Sequence, residues 1–208
     1  MKILLVAATA LEIDPILSDI KSLELNGNII DSLITGVGMT ATAYALGKTL
    51  ALSKYDLAIN AGIAGAFDRS LKIGDVVLVS SDCFAELGAE DGNDFLTLDK
   101  LGLGKSDVEG LLPFKNSFTA SLQEVKSITV NKVHGNDESI NSTISRLNPH
   151  IESMEGAAFF YSCNQESIPC IQLRAISNYV ERRNCNNWNI PLAVNNLNDT
   201  LMDLLKKM

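Results

Sequence analysis

The chain has 208 residues, 46% of them hydrophobic and 20% charged, which is enough for one globular domain spanning 1–208. Its formal net charge of −8 opposes binding to nucleic acid or an anionic membrane surface, and leaves small or uncharged ligands open. No stretch approaches the length of a membrane span, so a cytoplasmic protein is expected.

The N-terminal "KILLVAA" (2–8) reads as a buried strand rather than a signal peptide, because the apolar run is short and two acids follow in "LEIDP". Helical spacing covers 10–23, a strand-like run 27–38, and a helix of small residues 39–53. "DLAINAGIAGAF" (56–67) reads as a strand entering a glycine turn, and 74–84 and 127–133 read as further strands. A helix over 137–147, a short strand over 151–155 and a helix over 156–167 follow, then a strand over 169–177 and a last helix over 191–207. Residues 86–118, rich in glycine and acids, lack clean periodicity. They predict a long excursion near the ligand or at a subunit contact, the alternative being a disordered surface loop. Continuous apolar strands alternating with helices imply an α/β fold with a central sheet covered on both faces.

The cysteines, Cys83, Cys163, Cys170 and Cys185, form no C-x-x-C pair, and the two histidines, His134 and His150, stand apart from them in sequence. Free thiols in a reducing compartment are expected, and no metal site.

Three strand ends carry polar residues: "AATALE" ends in Glu12, "ESMEGAA" holds Met154 and Glu155, and "RAISN" ends in Asn178. Two carboxylates and an amide converge if those strands are neighbours. The glycine stretches "TGVG" (35–38) and "NAGIAGAF" (60–67), the latter with Ile63, Ala64 and Gly65, let backbone approach a ligand closely. Taken singly each has a plainer reading: Glu155 as a helix-terminus carboxylate, Asn178 as a loop cap.

Together, and in this order, they resemble the nucleoside phosphorylase/nucleosidase family. The resemblance is carried by "NAGIAGAF", "SITVNKVHG", "SMEGAA" and, above all, "RAISNYVERRNCNNWNIPLA". Within that family the chain most resembles the futalosine hydrolases; the methylthioadenosine/S-adenosylhomocysteine nucleosidases carry "RAISD" at the same place and a serine where this chain has Ile63. The resemblance implies a single-domain three-layer sandwich with a central mixed β-sheet flanked by helices. It also implies no cofactor, a purine nucleoside as small-molecule partner, and a homodimer.

An asparagine amide at 178 can donate to a carbonyl oxygen, which suits hypoxanthine, whereas a protonated aspartate suits adenine. Mismatching the exocyclic group strands a buried polar atom at roughly 1–3 kcal/mol. By resemblance, Glu12 activates the attacking water and Glu155 binds the ribose hydroxyls over Met154. Ile63, Ala64 and Gly65 line the substrate site. The expected reaction releases hypoxanthine and dehypoxanthine futalosine, a step of menaquinone biosynthesis. None of the arginines, Arg69, Arg146, Arg174, Arg182 and Arg183, lies in the first 60 residues, where phosphorylases of the family place part of their phosphate site; hydrolysis is therefore expected over phosphorolysis. Arg182 or Arg183 is expected to pair with a substrate carboxylate, and Trp188 to close over the substrate; solvated arginines and a tryptophan anchoring the last helix are the plainer alternatives. A nucleosidase acting on methylthioadenosine, S-adenosylhomocysteine or aminodeoxyfutalosine, a purine nucleoside phosphorylase, and a non-catalytic nucleoside-binding module remain the competing functions.

Overall fold

In β1 (Lys2–Ala7) successive side chains leave on opposite faces, and helices cover both. Ile3, Leu5 and Ala7 pack with Ile13 and Ile16 of α1 (Ala10–Ile20) and with Leu197 and Leu201 of the last helix. Leu4 and Val6 pack with Leu46 and Leu50 of α2 (Met39–Leu52), which comes after β2 (Ile29–Ile34), and with Phe159 and Phe160 from further along the chain. Each such aliphatic side chain gains about 1.5–3 kcal/mol on burial. This two-sided burial explains the unbroken apolar run and places the sheet between two helical layers.

The computed structural model describes residues 1–20, 27–92, 94–111 and 119–208; the end of the expected 10–23 helix lies outside them. β3 (Leu57–Ala66) and β4 (Val76–Phe84) come next, then β5 (Gly88–Asp91), β6 (Asp94–Thr97), α3 (Leu98–Leu101) and β7 (Asp107–Glu109). The chain continues with β8 (Glu124–Thr129), α4 (Asp137–Leu147), β9 (Ile151–Ser153), α5 (Gly156–Gln165), β10 (Cys170–Tyr179) and α6 (Ile190–Lys206). Among the described residues no helix is long and apolar enough to cross a membrane.

The sheet is mixed, and β3 is its hub. One edge pairs in parallel with β10 from Ala58 to Ala66. The other pairs in parallel with β1 from Leu57 to Asn60, then antiparallel with β9 at Gly65 and Ala66. Between Asn60 and Gly65 that second edge faces no strand among the described residues. Pairings of β10 with β4, β4 with β8 and β8 with β9 close the sheet into a ring beside this opening.

Three expectations are corrected. β3 does not turn at its glycines but runs through Gly62 and Gly65, because β10 pairs with it throughout. The strand expected over 127–133 is β8, which starts at Glu124 and ends at Thr129. Among its described residues the excursion holds secondary structure: β5 and β6 form a hairpin in which Asp91 faces Asp94, with Gly92 at φ 62°. A glycine opening the two-residue loop is the hairpin signal. Thr97 then caps α3 through its side chain, and β7 pairs with β4. The part of the excursion over 112–118 lies outside the described residues.

Candidate active site

Glu12 sits in the first turn of α1, buried to 7% exposure. Its Oε2 accepts from the Thr9 backbone N–H at 2.9 Å and from Thr9 Oγ1 at 3.0 Å, while the Glu12 N–H donates to the Thr9 carbonyl at 3.3 Å. This Thr-x-x-Glu arrangement is a helix cap that also fixes a carboxylate. The other oxygen, Oε1, accepts from Ile63 N–H at 3.2 Å, a backbone donor on the open stretch of the β3 edge.

Glu155 caps α5 at the end of β9. Its Oε1 accepts from Gly38 N–H at 3.0 Å, and Oε2 lies 4.0 Å from Nη2 of Arg174. Gly38 has φ 97°, a conformation that glycine adopts without strain, and this aims its N–H at the carboxylate. Arg174 is 1% exposed and also donates to Gln172 Oε1 at 3.1 Å. Gln172 Nε2 donates in turn to Asp82 Oδ2 at 3.1 Å, and Thr129 Oγ1 donates to Asp82 Oδ1 at 2.9 Å. Burial pushes the Asp82 carboxyl up to about 6 despite the lowering effect of these hydrogen bonds and of Arg174. A buried polar chain thus runs from Asp82 to the cavity-facing Glu155.

Asn178 is placed by an irregularity. The β10–β3 register shifts between Ile176 and Asn178, leaving Ser177 as an extra residue and re-aiming the side chains beyond it. Asn178 Nδ2 donates to the Tyr179 carbonyl at 3.0 Å, and Oδ1 accepts from Ser177 Oγ at 2.7 Å. Because an amide oxygen would repel the Tyr179 carbonyl, the amide nitrogen is the fixed donor end. Ser177 Oγ has one hydrogen, so its 3.2 Å approach to the Ala64 carbonyl is the weaker contact.

These groups line one cavity of about 300 Å³. β1, β9 and β10 bring them together because each pairs with β3, not with one another. Of the residues expected from sequence, Glu12, Ile63, Ala64, Gly65, Met154, Glu155, Asn178 and Trp188 all line it. Arg182 and Arg183 do not. Both are exposed, Arg183 lying over the Trp188 ring at 4.9 Å, so the arginine expectation finds no support in the geometry. No described residue of the excursion lines the cavity either. Its hairpin borders a separate cleft of about 780 Å³ with Lys100 and Arg146, where Arg146 donates to the Ala85 carbonyl and covers Phe95.

Four further polar residues at the site are not evident from the sequence pattern. Thr9 is legible only as the partner in a capping box. Arg174 precedes Asn178 on the same strand, two residues after Gln172. Ser177 gives no sequence sign of a bulge. Glu152 shares a strand face with Met154 at i, i+2, the one signal that could have found it; it is 4% exposed and lines the cavity. Among the described residues no group of three or more His, Cys, Asp or Glu side chains is arranged to hold a metal ion.

The chain matches the phosphorylase superfamily over residues 22–206. It is 30% identical over 175 residues to the futalosine hydrolase of Acidothermus cellulolyticus, covering 80% of this chain and 71% of that one. It is 28% identical over 187 residues to the futalosine hydrolase of Thermus thermophilus, covering 87% and 83%. The crystal structure of the 5′-methylthioadenosine/S-adenosylhomocysteine nucleosidase of Helicobacter pylori with butyl-thio-DADMe-Immucillin-A superposes with a TM-score of 0.84. At 17% identity, covering 100% of this chain and 99% of that one, it speaks for the fold alone. With nearly the whole chain matched and its sheet and helices in the corresponding arrangement, this protein belongs to the phosphorylase superfamily.

Proposed function

We propose that this chain is an N-ribosyl hydrolase that cleaves the glycosidic bond of a purine nucleoside, with futalosine as substrate and hypoxanthine as the released base. The observation that carries the reading is the convergence of Glu12, Glu155 and Asn178 on one cavity. The two relatives named futalosine hydrolase support the choice of substrate.

Cleavage builds positive charge on the ribose and negative charge on the departing base. Glu12 is capped at Oε2 by Thr9, which leaves Oε1 facing the cavity edge to orient and deprotonate water. Glu155, anchored by Gly38 and Arg174, accepts from ribose hydroxyls beside Met154 and stabilises the oxocarbenium-like transition state. Asn178 presents its fixed amide donor to the exocyclic oxygen of the base, drawing charge onto the leaving group. No lysine or arginine is among the described cavity-lining residues, which supports water over a phosphate dianion as acceptor.

A nucleosidase acting on methylthioadenosine is the second reading, favoured by the apolar wall of Leu11, Val37 and Ile190. Chromatography of the base released from futalosine, inosine and methylthioadenosine, each with and without phosphate, separates the two. Phosphate-independent hypoxanthine from futalosine is the expected result. Adenine as the preferred product moves the assignment to the second reading, and phosphate-dependent release rules out hydrolysis.

A further inference from the structure

We propose that Glu152 reads the N1 edge of the base and makes the site selective for 6-oxopurines; the assignment rests on the reading of the cavity as a purine site. Glu152 is a carboxylate with 4% exposure on the cavity wall, and neither water activation nor ribose binding uses it. Its Oε1 accepts from the His134 backbone N–H at 3.0 Å, and its Oε2 is hydrogen-bonded to His134 Nδ1. Thr143 Oγ1 lies 2.8 Å from His134 Nε2 and can donate to it. Nδ1 then carries the ring proton and donates to Glu152, as it also does in the imidazolium. Glu152 thus accepts from His134 at both oxygens.

Its position relative to Asn178 supplies the second half of the argument. Both residues pair with Gly65 of β3, Asn178 from one edge and Glu152 from the other. A Cβ built on Gly65 would lie 3.2 Å from Asn178 Nδ2 and 3.6 Å from Glu152 Cγ. An amide donor and a carboxylate acceptor on the two sides of Gly65 match O6 and N1–H, which are adjacent on hypoxanthine. Adenine presents the opposite pair, an amino donor and a bare N1 acceptor, and sets the N1 lone pair against the carboxylate. An amide can be turned to expose its oxygen at the cost of two hydrogen bonds. Glu152 has no amide to turn, and both of its oxygens already accept from His134, so the discrimination falls to Glu152.

The test is calorimetric binding of free hypoxanthine, 1-methylhypoxanthine and adenine to the wild-type chain and to Glu152→Gln, with base release from inosine and adenosine measured on the same samples. Wild type is expected to bind hypoxanthine about 5- to 100-fold tighter than either other base. Glu152→Gln is expected to narrow the hypoxanthine-to-adenine ratio by about tenfold or more, since glutamine can donate to N1. A folded variant with an unchanged ratio overturns the assignment. So does equal wild-type affinity for hypoxanthine and its 1-methyl derivative, a measurement that needs no variant. Base preference without hydrolysis removes the nucleosidase reading and leaves Glu152 in place, whereas hydrolysis with an indifferent Glu152→Gln removes Glu152 alone.

Discussion

Arg174 and Glu155 face each other beneath the cavity, Nη2 of the one 4.0 Å from Oε2 of the other, with the arginine side chain 1% exposed. β10 supplies the cation and the β9–α5 junction the anion, so the pair ties two parts of the sheet that do not hydrogen-bond directly. Removing one member of such a pair strands the other charge. Arg174→Leu is expected to cost about 3–5 kcal/mol in urea denaturation. A cost below about 1 kcal/mol would mean that Glu155 is held by Gly38 alone.

Gly62 marks the closest packing at the site. A Cβ there would collide with Arg174 Nη1 and lie 2.9 Å from Glu12 Oε1. Neither side chain can retreat freely, since one is buried on the neighbouring strand and the other is fixed by Thr9 and Ile63. Gly62→Ala is expected to destabilise the fold by about 1–3 kcal/mol and to lower base release, because it displaces the carboxylate assigned to water. Melting temperature and a single-substrate rate assay check the two effects separately.

For Glu12→Gln the expected signature is a large kinetic loss with a small structural one. The amide can still accept from Thr9, so the cap survives in part and the melting point moves little. The rate of base release is expected to drop about 10²–10⁴-fold, with nucleoside binding retained. Equal rates for variant and wild type would leave the chain a binder whose turnover, if any, comes from elsewhere.

Asp82 gives a pH-dependent prediction. Its carboxyl ionises at about 6 in the folded chain, against an ordinary value of 3.8. A raised carboxyl favours folding while it is protonated. Its contribution is therefore full below the unfolded value and is lost as pH rises through the folded one. Asp82→Asn removes this titration. The stability of wild type relative to the variant is expected to fall by about 2 kcal/mol between pH 4.5 and 6.5, read from urea denaturation at each pH. A difference that stays flat or grows with pH would show that Asp82 is already ionised at the lower pH.

The alternation of strands and helices is legible in the chain because it depends on neighbours a few positions apart. Ile3 to Ala7 can be recognised as a two-sided buried strand without knowing what covers it, and α4 falls where its spacing predicts, at 137–147. Glu12, Glu155 and Asn178 stand out as polar residues ending apolar runs. The stretch at 86–111 is hard to read because its acids and glycines mask a short hairpin whose one local sign is Gly92.

Tertiary structure decided what these residues do to one another. Glu12, Glu155 and Asn178 meet because β3 pairs with three different strands and leaves part of one edge open, a relationship between segments far apart along the chain. Arg182 and Arg183 come soon after the key asparagine in sequence yet are exposed to solvent, since adjacency along a loop fixes distance and not direction. Arg174 and Glu152 are buried charges whose long-range partners come from the fold, which sets Glu155 beside the one and His134 beside the other. A buried charge is tolerable through its partners, and those are chosen by the packed chain rather than by the local sequence.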